Sequence, residues 1–257
     1  MKEAKKIVII NQKGGVGKST VSVNLSYALA KKNYKTLLVD LDPQSHSSCI
    51  FVEHIDKNLT VSNLFLDKKY EINDVIQTAK VKENICENLS IIPSSIHLAL
   101  VAEQVISSTY RETILENHFK KIINDYDFII EDCPPTLGVI TVNAIYTADT
   151  IIIPTNYGRY SLDGIADLFN SINEIKEGQN FNFWILRNMF EQRNSNTNQY
   201  VEEQLESLNK HLFLTKIRKN ESINQAQING EPVLSFNPSC SGSKDFNNLT
   251  EEFLLNV

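Results

Sequence analysis

The sequence predicts an α/β fold in which helices cover both faces of a mostly parallel, twisted sheet. Two observations predict this class. Apolar runs of strand length alternate with helix-like segments along the chain, and these runs are continuous rather than alternately apolar and polar. Continuous apolar strands are typical of parallel sheets that are buried on both faces. No repeat, low-complexity tract or proline-rich linker interrupts the pattern, which predicts one domain over residues 1–257.

The predicted elements follow in chain order. Strands are predicted for KIVIIN (6–11), KTLLVDLD (35–42), NLSIIPSS (88–95), YDFIIEDCPP (126–135), DTIIIPTN (149–156) and FNFWILRN (181–188). Helices are predicted from about residue 18 to 32 and near 96–106, 110–124, 160–176, 198–211 and 243–255. The stretch 43–87 has weaker strand signals, and we expect it to form a helical excursion over the ligand crevice.

Composition narrows the functional classes. Hydrophobic residues make up 42% of the 257 residues and charged residues 22%, as in ordinary soluble proteins. No apolar run reaches the roughly 18 residues of a membrane span, and the first apolar run is too short for a signal peptide, so we expect a cytoplasmic protein. The net charge of −6 argues against a protein whose whole surface is positively charged for binding nucleic acid, but it allows a local basic patch. The four cysteines show no C-x-x-C spacing, so neither a zinc site nor a disulfide framework is predicted.

The loop after the first strand, NQKGGVGKST (11–20), predicts a phosphate-binding site. It departs from the usual pattern G-x-x-x-x-G-K-[ST], because Gln12 stands where the leading glycine belongs and a second lysine, Lys13, follows it. Three glycines let backbone N–H groups wrap closely around a phosphate, and the helix that begins near Lys18 presents its positive end to the same anion. A glycine-rich turn without ligand is the alternative, but the strand–loop–helix context favours a phosphate loop.

The same loop predicts the phosphates of a nucleoside triphosphate and Mg²⁺ as ligands, and the family resemblance given below implies that the nucleotide is ATP. The Lys18 side chain is expected between the β and γ phosphates, and the Ser19 hydroxyl is expected to bind Mg²⁺. The loop residues expected to hold the nucleotide are Lys13, Gly14, Gly15, Val16, Gly17, Lys18, Ser19 and Thr20.

Carboxylates end two of the predicted strands. Asp132 ends FIIED, the pattern of the magnesium-side carboxylate in phosphate-loop NTPases, whereas strand alternation turns Glu131 the other way and predicts a structural role for it. Asp40 and Asp42 end the second strand. One can hold a water of the magnesium shell and the other can orient an attacking water, although either alone can instead cap the next turn. Because ligands bind at the carboxyl ends of such strands, these residues are expected to converge.

Four short motifs carry a family resemblance: KGGVGKST, DLDPQ, DCPP and INGEPV. With their spacing, they resemble the ParA/Soj family of chromosome and plasmid partition ATPases from about residue 6 to 255. The pattern K-G-G-x-G-K-[ST] is specific to the deviant Walker A group of phosphate-loop ATPases, which includes MinD and nitrogenase iron protein. DLDPQ followed by DCPPTLG narrows the resemblance towards ParA.

The resemblance implies roles for the site residues. Family members close face to face around two ATP molecules, so Lys18 would serve the nucleotide of its own subunit and Lys13 would reach the phosphates of the partner. A lysine supplied across a homodimer would act as an arginine finger does. Asp42 corresponds to the residue that positions the attacking water, with Asp40 and Asp132 in the magnesium shell. A solvated charge is the alternative interpretation of Lys13.

The resemblance also implies partners. These are non-specific DNA, bound by the ATP dimer on the nucleoid, and a ParB-like protein that stimulates hydrolysis. Four basic residues and no acidic one lie between Ser207 and Asn220. The expected DNA-binding residues are Arg187, Arg193, Lys216, Arg218 and Lys219, with a solvated basic face as the alternative. Arg193 falls where the family tends to place a DNA-contacting arginine, whereas Ser222 stands at the second such position.

The adenine base is expected to lie against two loops. One loop contains Asn188 and Met189, and the other contains Arg218 and Asn220.

Three rival functions share parts of the sequence pattern. A MinD-like membrane ATPase needs a basic amphipathic C-terminal helix, but no Lys or Arg follows Lys244. An iron–sulfur reductase could use Cys133, but the second ligand motif of that group is not evident. A related ATPase that positions another cargo stays open, because a partner protein sets the cargo.

Overall fold

The computed structural model describes residues 2–67, 70–158, 160–178 and 181–257. Within them, seven strands form one sheet in the order β3-β4-β2-β5-β1-β6-β7. The strands are Lys5–Ile9 (β1), Thr36–Asp40 (β2), Gln77–Val81 (β3), Asn84–Ile92 (β4), Phe128–Asp132 (β5), Thr150–Asn156 (β6) and Asn182–Asn188 (β7). Every pairing is parallel except the one between β3 and β4. The predicted α/β class is confirmed.

Helices connect the strands and cover both faces of the sheet. They are Lys18–Lys31 (α1), Ser48–Phe51 (α2), Val61–Leu66 (α3), Ile72–Val75 (α4), His97–Val105 (α5), Ile114–Phe119 (α6), Val139–Thr147 (α7), Tyr160–Ile175 (α8), Ser195–Gln204 (α9), Glu221–Ile228 (α10), Val233–Phe236 (α11) and Ser241–Asn256 (α12). Short 3₁₀ turns cover Arg111–Thr113 and Glu206–His211. Among the described residues, every helix is too short or too polar to span a bilayer.

The stretch 43–87 is only partly the predicted helical excursion. It contains the short helices α2, α3 and α4, but also β3, and β4 begins at Asn84 rather than Asn88. β3 lies at the edge of the sheet, and only Ala79 and Val81 of its five residues are buried. One face of this edge strand is exposed to solvent, so its sequence lacks the continuous apolar run that identifies the inner strands.

Strand alternation divides the interior into two apolar layers. Val8 of β1 and Ile129 of β5 belong to the layer that includes α7 residues, whereas Ile9 and Ile130 belong to the layer that includes α1 residues. Because successive side chains of a strand point to opposite faces, adjacent residues at a strand end serve different layers.

The register of the inner strands sets the position of the site. β1 lies between β5 and β6, and β2 pairs with the other side of β5. Asp40 and Asp132 are direct partners in the β2–β5 register, and Ile9 is the partner of Asp132 on the other side. The ends of these strands therefore place both carboxylates beside the loop that leaves β1.

Candidate functional site

The phosphate loop depends on glycine at two points. Gly15 and Gly17 have φ angles of 74° and 88°, in the left-handed region that residues with a Cβ avoid. A Cβ on Gly17 would also lie 2.3 Å from Nδ2 of Asn188. That amide donates a hydrogen bond of 2.8 Å to the carbonyl of Val16. Asn188, the last residue of β7, thus holds the phosphate loop in place just before α1 begins.

The two loop lysines lie in different surroundings. Lys18 is the first residue of α1 and is only 7% exposed, and its Nζ lies 3.4 Å from the carbonyl of Lys13. Burial lowers the pKa of Lys18, an effect that the carboxylates of Asp132 and Asp42 oppose. Lys13 extends instead towards the end of β6, where its Nζ lies 3.5 Å from Oδ1 of Asn156. Lys18 is thus placed next to the carboxylates of Asp132 and Asp42.

Two fully buried carboxylates, Asp40 and Asp132, lie side by side at the strand ends. Asp40 accepts hydrogen bonds from the hydroxyl and the backbone N–H of Ser48, at 2.6 and 2.8 Å. Asp132 accepts from Ser22 at 3.0 Å and from Ser47 at 2.6 Å. The Ser22 bond comes from α1, as the alternation argument predicts for this side of β5.

The electrostatics of this pair fit a hard divalent cation. Burial, together with the neighbouring Asp132, raises the pKa of Asp40 to about 8. Burial also raises the pKa of Asp132, and hydrogen bonds from Ser47, Ser19 and Ser22 oppose the rise. Within the described residues, no three His, Cys, Asp or Glu side chains form a metal site by themselves. Two carboxylates and the Ser19 hydroxyl, completed by nucleotide phosphates and water, are the oxygen donors that suit Mg²⁺.

Asp42 lies between the carboxylate pair and a cavity. Its backbone N–H donates to Oδ1 of Asp40 at 3.0 Å, and its own Oδ1 accepts from the N–H of Gln44 at 2.9 Å. The side chain lines a cavity of about 760 Å³, large enough for a nucleotide. Asp42 can therefore meet a bound ligand, whereas Asp40 and Asp132 are not among the described residues that line the cavity.

The cavity has one wall that the sequence predicted and one that it did not. Loop residues Gly14, Gly15, Gly17, Lys18, Ser19 and Thr20 form the first wall. The opposite wall comes from α10 and the segment after it, with Ile223, Ala226, Gln227, Ile228, Gly230, Glu231 and Val233. Gln227 even reaches across, since its Nε2 lies 2.5 Å from Oγ1 of Thr20. The INGEPV motif (228–233) marked this segment in the sequence, but the motif itself does not indicate that the segment packs opposite the phosphate loop.

The expected base-binding residues lie in different surroundings. Met189 lines the cavity, and Asn188 supports the loop from behind. Neither Arg218 nor Asn220 is among the described residues that line it. The Arg218 guanidinium is instead paired with Asp245 at 2.6 Å, and the Asn220 side chain caps α10 by accepting from the N–H of Ser222. Both residues therefore have structural partners outside the cavity.

We call the residues expected to bind DNA the basic stripe: Arg187, Arg193, Lys216, Arg218 and Lys219. The structure changes the membership of this stripe. Arg187 is 6% exposed, and its guanidinium donates to Glu202 and to the carbonyl of Phe213, each at 2.5 Å. This burial argues against a phosphate contact, so its place in the stripe is corrected to a structural one. Lys216 also pairs with Glu202, at 2.7 Å.

The other basic residues remain at the surface. Lys219 is exposed and pairs with Glu191 at 2.8 Å, and Arg218 is exposed beside Asp245. Arg193 is exposed on the loop before α9. The stripe that the sequence suggested is therefore interleaved with acidic side chains, and Arg193 is the member that extends from a loop into solvent.

The fold and the site together define a phosphate-loop nucleoside triphosphatase: a strand, a glycine loop, a helix that begins with lysine, and a carboxylate pair at neighbouring strand ends. A family model described as an AAA domain matches residues 4–185. The sporulation initiation inhibitor protein Soj of Bacillus subtilis (strain 168) is 33% identical, over 97% of this chain and 98% of its own. The chromosome-partitioning ATPase Soj of Treponema pallidum (strain Nichols) is 32% identical over 97% of both chains. The chain belongs to the ParA/Soj family of partition ATPases, and it is an ATPase.

Solved structures share the fold over nearly the whole chain. A candidate plasmid partition protein from Borrelia burgdorferi B31, bound to AMPPNP, superposes with a TM-score of 0.85 and 26% identity, and covers 99% of this chain and 100% of its own. Apo McdA from Cyanothece also has a TM-score of 0.85, at 21% identity, over 97% of this chain and 99% of its own. At that identity the second likeness speaks for the fold alone.

Proposed function

We propose that residues 1–257 act as one partition ATPase domain. In this proposal, ATP and Mg²⁺ bring two copies together into a sandwich dimer, the dimer binds DNA without sequence preference, and a ParB-like protein stimulates hydrolysis and release. One observation carries the dimer. Of the two loop lysines, Lys18 lies on the cavity wall, whereas Lys13 is not among the described residues that line the cavity and extends towards Asn156. In this proposal the second lysine serves the phosphates of the partner's site.

The residues divide the work of hydrolysis. Lys18 and the loop N–H groups bind the phosphates, and Ser19 with Asp40 and Asp132 would hold Mg²⁺ directly or through water. When bound, the magnesium ion neutralises charge on the phosphate oxygens. Asp42 lines the cavity and is fixed by Asp40 and Gln44, so it can orient the attacking water. Lys13 of the opposite subunit would then supply positive charge to the transition state.

Exposed apolar residues on the nucleotide side support a face-to-face dimer. α5 follows the carboxyl end of β4, on the same edge of the sheet as the phosphate loop. At its start, Ile96 is 64% exposed and Leu100 is 60% exposed. Large apolar side chains that remain in water beside a ligand site are typical of an interaction surface.

The residues expected to bind DNA differ in exposure and in their ion pairs. Arg193 is exposed, but Lys216, Arg218 and Lys219 each have an acidic partner, and Arg187 is buried. This interleaving, with Ser222 at the second expected arginine position, favours one alternative. In that alternative the same ATP-driven dimer positions a different cargo.

Analytical ultracentrifugation tests the proposal. With Mg²⁺ and AMPPNP, the wild-type protein should sediment as a dimer and then associate with a non-specific DNA duplex at low salt. Lys13→Ala should keep nucleotide binding but lose most ATP turnover, whereas Lys80→Ala, on the outer strand β3, serves as the lysine control. Asp42→Ala should accumulate ATP-bound dimers.

The outcomes separate the parts of the proposal. A strictly monomeric wild-type protein under these conditions would overturn the sandwich mechanism. A dimer that does not bind DNA at any salt concentration would leave ATP-dependent dimerisation in place. It would favour the alternative in which the dimer positions a different cargo. Arg193→Glu should weaken DNA association without affecting dimerisation, and unchanged DNA association would remove Arg193 from the interface.

A further inference from the structure

Two adjacent serines serve the two buried carboxylates. Ser48 donates its hydroxyl proton to Oδ2 of Asp40, and Ser47 donates to Oδ2 of Asp132, each over 2.6 Å. All four residues are completely buried. The sequence predicted roles for both aspartates but for neither serine. Hydrogen bonds from a hydroxyl to a buried carboxylate at this distance belong to the strong, charge-assisted class.

The Ser47 hydroxyl binds a carboxylate on the sheet and does not cap its own helix. Ser47 occupies the N-cap position of α2, where a serine side chain ordinarily accepts a hydrogen bond from a backbone N–H of the first turn. No such cap bond is present at this helix. Ser22, the other donor to Asp132, lies 3.0 Å both from Asp132 and from the carbonyl of Lys18, and its one proton can serve only one of them at a time.

The segment 41–47, which we call the Asp42 segment, connects the two carboxylates. At its start, the N–H of Asp42 binds Asp40 at 3.0 Å. In its middle, the N–H of Ser45 binds the carbonyl of Asp42 at 2.9 Å. At its end, Ser47 binds Asp132 on the neighbouring strand β5. The position of Asp42 is therefore fixed from both sides by groups at the metal side of the site.

We infer that Ser47 is a positioning residue for ATP hydrolysis, which holds the Asp132 carboxylate in one orientation and ties the Asp42 segment to it. This inference rests on the proposed roles of Asp132 and Asp42. Ser47 touches neither nucleotide nor water in this scheme. It acts by keeping the metal-side carboxylate and the water-orienting residue in one fixed relation.

The expected defect is specific. Losing a hydrogen-bond partner of a metal-side ligand typically costs about 10- to 100-fold in metal affinity or activity. Ser47→Ala should therefore lower kcat by about 10-fold or more and raise the Mg²⁺ concentration needed for nucleotide binding, with little change in KM for ATP. A merely structural role would lower the melting temperature and leave the magnesium requirement unchanged.

The experiment uses the full chain in two measurements. The first is steady-state ATP turnover, and the second is a MgCl₂ titration of the binding of a fluorescent ATP analogue, which does not depend on turnover. Ser47→Cys keeps the approximate shape but replaces the hydroxyl by a weak donor, so it should resemble Ser47→Ala. Ser62→Ala is the matched control, because Ser62 is a buried serine whose hydroxyl has no hydrogen-bond partner among the described residues.

Three results would count against the inference. Normal magnesium dependence in both Ser47 variants would overturn it, and so would a Ser47→Cys variant that matches the wild type while Ser47→Ala fails, since packing would then explain the defect. An equal defect in Ser62→Ala would point to general loosening of the fold and would also overturn it.

A fourth variant distinguishes this inference from the proposed function. Asp132→Asn should itself abolish the normal magnesium dependence, and adding Ser47→Ala to it should cause no further loss. If Asp132→Asn is defective while the Ser47 variants are normal, only the role of Ser47 fails. If Asp132→Asn binds nucleotide with wild-type magnesium dependence, the proposed metal side fails as well.

Discussion

Glu131 and Asp132 are neighbours in sequence that serve opposite layers of the fold. Glu131 is fully buried, and its Oε1 lies 2.8 Å from Oγ1 of Thr147 in α7. The same hydroxyl lies 2.8 Å from the carbonyl of Ala144. Burial raises the pKa of Glu131 to about 8, and hydrogen bonding to Thr147 opposes the rise. A neutral Glu131 can donate its proton from Oε1 to Thr147 while Thr147 donates to Ala144, and neutrality also lowers the cost of leaving Oε2 buried without a partner among the described residues.

The stability of the nucleotide-free protein should therefore fall as pH rises from about 4.5 to 8. In that window an unfolded chain has released a proton that folded Glu131 still holds, and for this one group each pH unit costs at most about 1.4 kcal/mol. Asp40, whose pKa is also raised to about 8, adds a slope of the same sign that a change at Glu131 leaves in place. Glu131→Gln, which mimics the neutral form, should raise the melting temperature at pH 8 and change it little at pH 5. Thermal unfolding at several pH values measures this.

The charged groups around Glu131 set the control. Lys6 and Lys176 oppose the rise in its pKa, and Asp149 adds to it. Asp149→Asn should therefore leave most of the pH slope in place. An unchanged slope in Glu131→Gln would show that Glu131 is ionised in the folded protein at neutral pH.

At the scale of single residues, periodicity and motif spacing were sufficient for much of the site. The orientation of Asp132 towards α1 and of Glu131 towards α7 follows from the two-residue period of a strand. The contacts of Ser47 and Ser48 could not be predicted in this way. They depend on how an irregular loop returns to the sheet, and no periodic pattern encodes that path.

At the scale of elements, one carboxylate of α9, that of Glu202, contacts both the basic surface and the strand end that supports the phosphate loop. Glu202 accepts hydrogen bonds from Tyr157 at 2.9 Å, from Arg187 at 2.5 Å and from Lys216 at 2.7 Å. Tyr157 follows the end of β6, and Arg187 precedes Asn188, the brace of the phosphate loop. Glu202 thus holds together the ends of β6 and β7 and neutralises the nearby cations.

Glu202→Gln should strengthen association with non-specific DNA, by about 3- to 10-fold at low salt, because it removes a negative charge and releases Lys216 to contact phosphate. The gain should shrink as salt rises. Fluorescence anisotropy with a labelled duplex at two salt concentrations measures it.

Glu203→Gln is the matched control, since it changes the net charge equally but Glu203 contacts only Gln199 among the hydrogen bonds of the described chain. Equal affinity of both variants would show that the local ion pairs of Glu202 do not limit DNA association. The melting temperature of Glu202→Gln shows whether buried Arg187 tolerates a neutral partner.

Elements also differ in how well sequence predicts them. The five inner strands and the edge strand β7 have continuous apolar runs, so all six predicted strands were found within a few residues. The edge strand β3 was missed because half of it faces water. The placement of α10 against the phosphate loop was missed as well, because it follows from long-range packing rather than from any local pattern.

At the scale of the whole molecule, the nucleotide cavity joins distant parts of the chain. Two facing walls come from the phosphate loop and from α10 with the following segment, and residues between 42 and 50 line another side. Val233 is tied to α1 by its N–H, which donates to Oδ1 of Asn24 at 2.8 Å. The family model ends at residue 185, so it omits one wall of the cavity.

Nucleotide binding should therefore stabilise both walls together. In hydrogen–deuterium exchange with Mg²⁺ and AMPPNP, amides in residues 13–24 and 221–233 should slow in parallel, because a ligand that binds only the closed arrangement suppresses local opening. The exchange rates of the amides of 246–256, in the C-terminal part of α12, should change little. Protection confined to 13–24 would show that α10 does not enclose the nucleotide.

The two-walled cavity also has a consequence for synthesis on the ribosome. Thr20 and Gln227, which meet across the cavity, are 207 positions apart. Proteins fold as they emerge, beginning with the N-terminal part. A nascent chain can form its glycine loop early, yet it has no enclosed pocket until translation has passed α10. A copy that ends before α10 would thus lack the enclosed pocket that this contact completes.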